Sequence, residues 1–174
     1  MTTPTEVLRE EHRVILRALG LLEAGANRLA GGGALPEGWW ARIIEWLRAF
    51  ADRNHHAKEE RYLFPALAKA GVPAAGGPVA VMLAEHVEGR ALMATMEAGE
   101  PRGRLDAARR YVQLLRDHID KENGVLFPLA DAVLKTHAQQ ALARDFETVE
   151  AEQGRDGSLD HAEADVARLA AAID

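Results

Sequence analysis

The stretch His55-His56-Ala57-Lys58-Glu59-Glu60-Arg61-Tyr62-Leu63-Phe64-Pro65 has a counterpart in His118-Ile119-Asp120-Lys121-Glu122-Asn123-Gly124-Val125-Leu126-Phe127-Pro128. Superposed on Leu-Phe-Pro, the two segments lie 63 residues apart and share a His, a Lys and a Glu. On a helix, a His and a Glu four residues apart point the same way. Two such pairs facing one another form a cage of nitrogen and oxygen donors suited to a metal ion.

Helical periodicity extends outward from these segments. Leu8, His12, Ile15, Leu19 and Leu22 form one stripe of a first helix, expected from about Thr5 to Leu29. Glycines and a proline make 30–38 a loop. A second helix, from about Trp39 to Ala70, carries Leu47, Ala51, His55, Glu59, Tyr62 and Ala66 on one face. After a break at 71–78, a third helix (79–98) carries Met82, His86, Gly89, Met93 and Met96. A break at 99–103 precedes a fourth helix (104–134) with Tyr111, Leu115, His118, Glu122, Val125 and Leu129 inward. Pro65 and Pro128 fall inside helices, where a kink or local break is expected. A short helix over 138–152 and an apolar stripe through Leu159, Ala162, Val166, Leu169 and Ile173 follow, separated by Gly154 and Gly157.

The repeat is wider than the two His/Glu segments. Glu11-His12 stands 13 residues before Gly25, and Glu85-His86 stands 13 before Gly99, an offset of 74. A helical hairpin used twice predicts an all-α protein, an antiparallel up-down four-helix bundle with additional C-terminal helices. Residues 1–136 are expected to form the bundle, and 137–174 an extension packed on the same domain.

Composition narrows the chemistry. The chain has 174 residues, 48% of them apolar and 5% aromatic, with a net charge of −6. Its length suits one domain, and its acidity argues against a nucleic-acid surface. No apolar run is long enough to span a membrane, and the start lacks a signal-peptide core. The absence of cysteine excludes thiolate ligation and fits a cytoplasmic location. The only serine, Ser158, sits in no nucleophile motif, and Gly31-Gly32-Gly33 lacks the ending of a phosphate loop.

Each expected bundle helix places one histidine in an apolar stripe: His12, His55, His86 and His118. Glu59 and Glu122 add carboxylates one turn on. A buried glutamate needs a partner, and two inward carboxylates can bridge two metal ions. His56 and Glu60 share the same spacing as His55 and Glu59, and the Leu-Phe-Pro alignment selects the earlier pair. Glu60 is either a further ligand or a group orienting a ligand imidazole. Tyr62 either approaches the metals or packs in the core. Arg90 either pairs with a carboxylate near the site or lies at a solvated edge. Trp39, Trp40 and Trp46 are expected to cover the core, and His137 and His161 to be surface residues.

These motifs resemble the hemerythrin-like (HHE cation-binding) domain family of bacterial type over roughly 5–135. The match rests on Glu11-His12, His55-His56-x-x-Glu59-Glu60, Glu85-His86 with Gly89-Arg90, His118-Ile119-x-Lys121-Glu122 and both Leu-Phe-Pro triplets. The resemblance implies a non-heme, oxo- or hydroxo-bridged centre of two iron ions held by His12, His55, Glu59, His86, His118 and Glu122. Oxygen-carrying hemerythrins have a fifth histidine where this chain has Arg90, and a His-x4-Asp pair where it has His118-x3-Glu122. Fewer nitrogen donors point away from simple oxygen carriage, toward a protein that binds or senses dioxygen, nitric oxide or peroxide. The alternatives are a di-iron oxidoreductase consuming peroxide or nitric oxide, and an iron-sensing interaction protein gated by its metal. No residue is assigned a catalytic role, and no protein partner is indicated.

Overall fold

The first helix begins where the sequence supplies its own cap. In α1 (Pro4–Ala30), the Thr3 hydroxyl accepts from the Glu6 amide, and the Glu6 carboxylate accepts from the Thr3 amide at 2.6 Å. This reciprocal box satisfies two otherwise orphaned donors, and Pro4 occupies the first turn, where no N–H is needed. The computed structural model describes residues 2–173. These residues are overwhelmingly helical and contain no strand.

The second bundle helix runs without leaving helical conformation from 39 to 69. It comprises α2 (Trp39–Trp46), π-helical stretches at Leu47–His56 and Glu59–Leu63, and α3 (Phe64–Lys69). α4 (Pro78–Ala98) is the third. The fourth comprises α5 (Pro101–Lys121), a π turn at Glu122–Leu126 and α6 (Phe127–Val133). α5 starts earlier than the glycines suggest, because Pro101 fits the first turn and Gly103 is tolerated just inside it. The helices close a ring: α1 packs on the second helix and on α5, α4 packs on α5, and α2 reaches α4. α7 (Thr136–Gln153) and α8 (Leu159–Ala171) wrap the outside, against α1 and the second helix.

The π turns correct two expectations. Pro65 and Pro128 do not break their helices. Each sits in the first turn of an α segment that follows a π turn, so the change of hydrogen-bond register falls where proline has no N–H to give. The wider turns also rotate the inward stripe by one position. Val125 is 59% exposed, and Leu126 takes its place at 1%. On the second helix, Leu63 and Leu67 are buried, whereas Tyr62 and Ala66 are only partly so.

Two apolar clusters result. One holds Val14, Leu19, Ile43, Phe50, Met93 and Leu115 with their neighbours. The other holds Leu8, Leu63, Leu67, Met82, Leu126 and Phe127. All three tryptophans pack on the first cluster and also tie elements together. The Trp39 and Trp46 indoles donate to the Leu169 and Ala162 carbonyls of α8, at 2.9 and 3.2 Å, and Trp40 donates to the Met96 carbonyl at 3.0 Å. Gly25 permits this docking: a Cβ there would lie 2.5 Å from the Trp39 ring. His137 and His161 are exposed.

Candidate metal centre

Between the two apolar clusters every bundle helix contributes polar side chains. His12, His55, His56, Glu59, His86, His118 and Glu122 are all buried there. Their donor atoms fall into two groups, each within 4.8 Å: His12, His55, Glu59 and Glu122; and His56, Glu59, His86 and His118. The six residues of the doubled pattern thus converge. The choice between His55 and His56 dissolves, because both rings face the centre. They lie in and beside π-helical turns, where the backbone no longer follows the α-helical stripe from which the choice was posed.

The two carboxylates join the groups. Glu59 lies 3.5 Å from His55 Nε2 through Oε1 and 3.4 Å from His86 Nε2 through Oε2. Glu122 lies 3.1 Å from His12 Nε2 through Oε2 and 3.2 Å from His118 Nε2 through Oε1. Each glutamate thus directs one oxygen to either group. None of these four oxygens makes an aligned hydrogen bond, nor do the Nε2 atoms of His12 and His55. The Nε2 atoms of His86 and His118 face one another at 3.2 Å. Orphaned lone pairs in a buried layer are costly unless a cation gathers them, so this donor set fits a metal.

Outside this layer, each imidazole is oriented through Nδ1. His55 donates to Glu11 at 2.8 Å, His118 to Glu85 at 2.8 Å, and His86 to Glu60 at 2.7 Å. His12 donates to the Asn123 carbonyl at 2.9 Å, and His56 to Asp52 at 3.3 Å. A carboxylate can only accept, so Nδ1 carries the proton and the Nε2 lone pair is left for a metal. Lys58 and Lys121 in turn hold Glu11 and Glu85. This explains the whole repeated pattern: the Glu before the histidine of one helix accepts from the His and Lys of the next. Glu11, Glu85 and the two lysines were visible in the repeat, but their role needed the interhelical pairing.

One half departs from the repeat. Arg90 donates to Asp52 at 2.9 Å and to Glu60 at 2.8 Å, clamping the carboxylates that orient His56 and His86. The corresponding positions in the other half are Leu16, Leu115 and Asn123, and Ile119 stands for His56. Tyr62 lies on the outer side, its hydroxyl accepting from Arg61 at 3.1 Å. The buried phenol is Tyr111, whose hydroxyl has no partner among the described residues and whose pKa burial pushes up.

The local field is strongly negative. Six carboxylates (Glu11, Asp52, Glu59, Glu60, Glu85 and Glu122) touch the imidazoles, against the fixed cations Lys58, Arg90 and Lys121. Burial disfavours charge on His86, but Glu59 and Glu60 outweigh it and raise its pKa to about 9. His118 and His55 are raised against burial in the same way, by Glu122 and by Glu59 with Glu11. Glu122, despite burial, is held well below the usual carboxylate range by the His118 and His12 rings. His56 behaves oppositely: burial and the neighbouring His86, stacked at 3.8 Å, drive its pKa well down and keep it neutral. Without metal, protons fill the role of the missing positive charge.

Fold and site together define a helical-bundle protein with a buried His/Glu metal-binding cluster. The chain belongs to the hemerythrin HHE cation-binding domain family, whose model matches residues 3–130. Uncharacterized proteins of Mycobacterium bovis and Mycobacterium tuberculosis are each 26% identical to it over 160 residues. The aligned region is 86% of this chain, which spans 62% of the length of those relatives. No solved structure matches it. No helix among the described residues is long and apolar enough to cross a membrane.

Proposed function

We propose that this chain is a non-heme di-iron protein that binds or senses a small oxidant: dioxygen, nitric oxide or peroxide. The observation that carries the reading is the placement of Glu59 and Glu122, each with one oxygen toward either donor group. Carboxylates so placed are suited to bridging two ions. Nitrogen and oxygen donors without thiolate suit iron. Iron held there supplies redox and Lewis-acid chemistry and a coordination position for a diatomic molecule or peroxide.

The chain's own residues favour such a position on one side. His56, His86 and His118 give their group three nitrogens, whereas His12 and His55 give theirs two. With both glutamates shared between the groups, the side of His12 and His55 has one donor fewer and would offer the open position. His56 also supplies a fifth nitrogen from the second helix, the donor that Arg90 does not supply from the third, so the count of nitrogen donors no longer argues against oxygen carriage. The apolar clusters on either side exclude water and protect a bound oxidant from stray protons. Tyr62 turns its hydroxyl to Arg61 on the outer side, so this phenol does not reach the centre. We assign 1–136 to the bundle and 137–174 to the extension, and place the protein in the cytoplasm, where a cysteine-free chain is at home.

Protein from iron-replete growth is expected to hold about two irons per chain, with oxo-bridge absorption in the near ultraviolet. A His118→Ala variant is expected to lose iron and that absorption. Two irons and an unchanged spectrum in this variant would overturn the assignment.

A further inference from the structure

Lys58 has a surrounding that its counterpart Lys121 lacks. Both lysines hold the glutamate that orients a histidine: Lys58 pairs with Glu11, which accepts from His55, and Lys121 pairs with Glu85, which accepts from His118. Lys121 is 43% exposed, and Glu85 is its one ion-pair partner among the described residues. Lys58 is 0% exposed. An ammonium withdrawn from water needs more than one partner. Lys58 finds the second in α7, where Glu150 accepts from Nζ at 2.7 Å, and the Phe146 ring lies 5.7 Å from the same nitrogen. The Asn54 amide also donates to Glu11 at 3.0 Å, so this carboxylate is held from three directions.

We propose that α7 completes the metal centre, with Lys58 and Glu150 as positioning residues that fix Glu11 on His55. The chain of contacts runs from Glu150 through Lys58 and Glu11 to His55 Nδ1, and so to the half of the site made by His12 and His55. α7 lies beyond residues 3–130, so this support belongs to the extension and not to the repeated hairpins. Under α7 the Lys58–Glu11 pair is shielded from solvent and held more stiffly than Lys121–Glu85, because interactions between charges strengthen as water is excluded. The two halves, alike in sequence pattern, therefore differ in how firmly they keep a metal. The extension's seating then governs the half that offers the open position. This inference rests on the two-iron reading above.

The test is the release of iron from the full-length, iron-loaded chain to a ferrous chelator in excess. Replacing a direct outer partner of a ligand costs roughly 10–100-fold in affinity. Glu150 stands one contact further out, so Glu150→Gln is expected to speed release of one of the two irons by about threefold or more, leaving the other unchanged. Glu152→Gln is the control. It removes another ion pair between α7 and the second helix, Glu152 with Arg61, without touching Lys58, and release is expected to stay at the wild-type rate. Lys58→Met is expected to exceed Glu150→Gln in effect and Lys121→Met to fall below it. Wild-type rates for both irons in Glu150→Gln, or equal acceleration in Glu152→Gln, would overturn the inference while leaving the two-iron reading intact. A wild-type chain that takes up no iron would overturn both.

Discussion

His56 shows how much one side chain decides. Its neighbour His55 has a partner in the repeat, His118, whereas the repeat puts Ile119 opposite His56. The ring is nevertheless buried, stacked on His86 and grouped with His86, His118 and Glu59. Its low pKa leaves it neutral and able to ligate near neutral pH. His56→Ile would make the two halves alike at this one position. Loss of this donor is expected to weaken retention of one metal at least about tenfold, the lower end of what even an orienting partner contributes. Chelator competition on the purified variant measures this, and wild-type affinity would show that His56 is a bystander. The signal for His56 was present in the sequence as a second buried-type His, but an α-helical stripe has room for only one of two adjacent residues.

At the scale of elements, the π turns do what straight α-helices cannot. The doubled His-Lys-Glu and Leu-Phe-Pro segments each end in a π turn followed by proline in the first turn of an α segment. The added residue lets the helix present Glu59 or Glu122 to the centre and then Leu63 or Leu126 to the apolar cluster beyond. Gly124, in the middle of the second such turn, is exposed, has negative φ and would meet nothing within 4 Å if given a Cβ. Gly124→Ala is therefore expected to stabilise the fold by roughly 0.5–1 kcal/mol, through the smaller entropy of the unfolded chain. Denaturant unfolding tests this, and a loss of stability would mean that the π turn requires glycine's freedom.

The whole molecule couples metal, protons and stability. In the metal-free bundle the pKa of His86 is raised from 6.5 to about 9. A raised folded-state value means that proton binding favours the fold. The contribution is fully present below about pH 6.5 and is lost as pH rises through about 9. The metal-free protein should therefore lose thermal stability between these pH values. The metal-loaded protein, whose rings have exchanged their protons for metal, should not lose stability in the same way. On the acid side, protonation of the ligand imidazoles should release the metal, while Glu122, held well below the usual carboxylate range, stays ionised. Melting temperatures across pH 5–10, with and without iron, measure both flanks. A metal-free bundle that gained stability toward pH 9 would contradict the electrostatics described here. Metal present at about 100 times its dissociation constant adds roughly 2.7 kcal/mol, so chelation alone should lower the melting temperature visibly.

The sequence by itself determined the bundle and the six repeated donors. Apolar spacing and internal repetition are local, one-dimensional facts, and His12, His55, Glu59, His86, His118 and Glu122 fall on stripes that periodicity reveals. Glu11, Glu85, Lys58 and Lys121 belonged to the same repeat, but their hydrogen bonds run between helices, and no spacing along one chain discloses a partner on another. Only the tertiary structure decided that His56 joins the centre, that Arg90 clamps Asp52 and Glu60, and that Tyr62 turns away. These depend on π turns that shift the helix face, a change of hydrogen-bond register that residue periodicity does not encode. It also decided that α7 buries one lysine of a repeated pair and leaves the other in water. Burial is a property of what packs on a residue, and for Lys58 that is a helix nearly a hundred residues away in the chain.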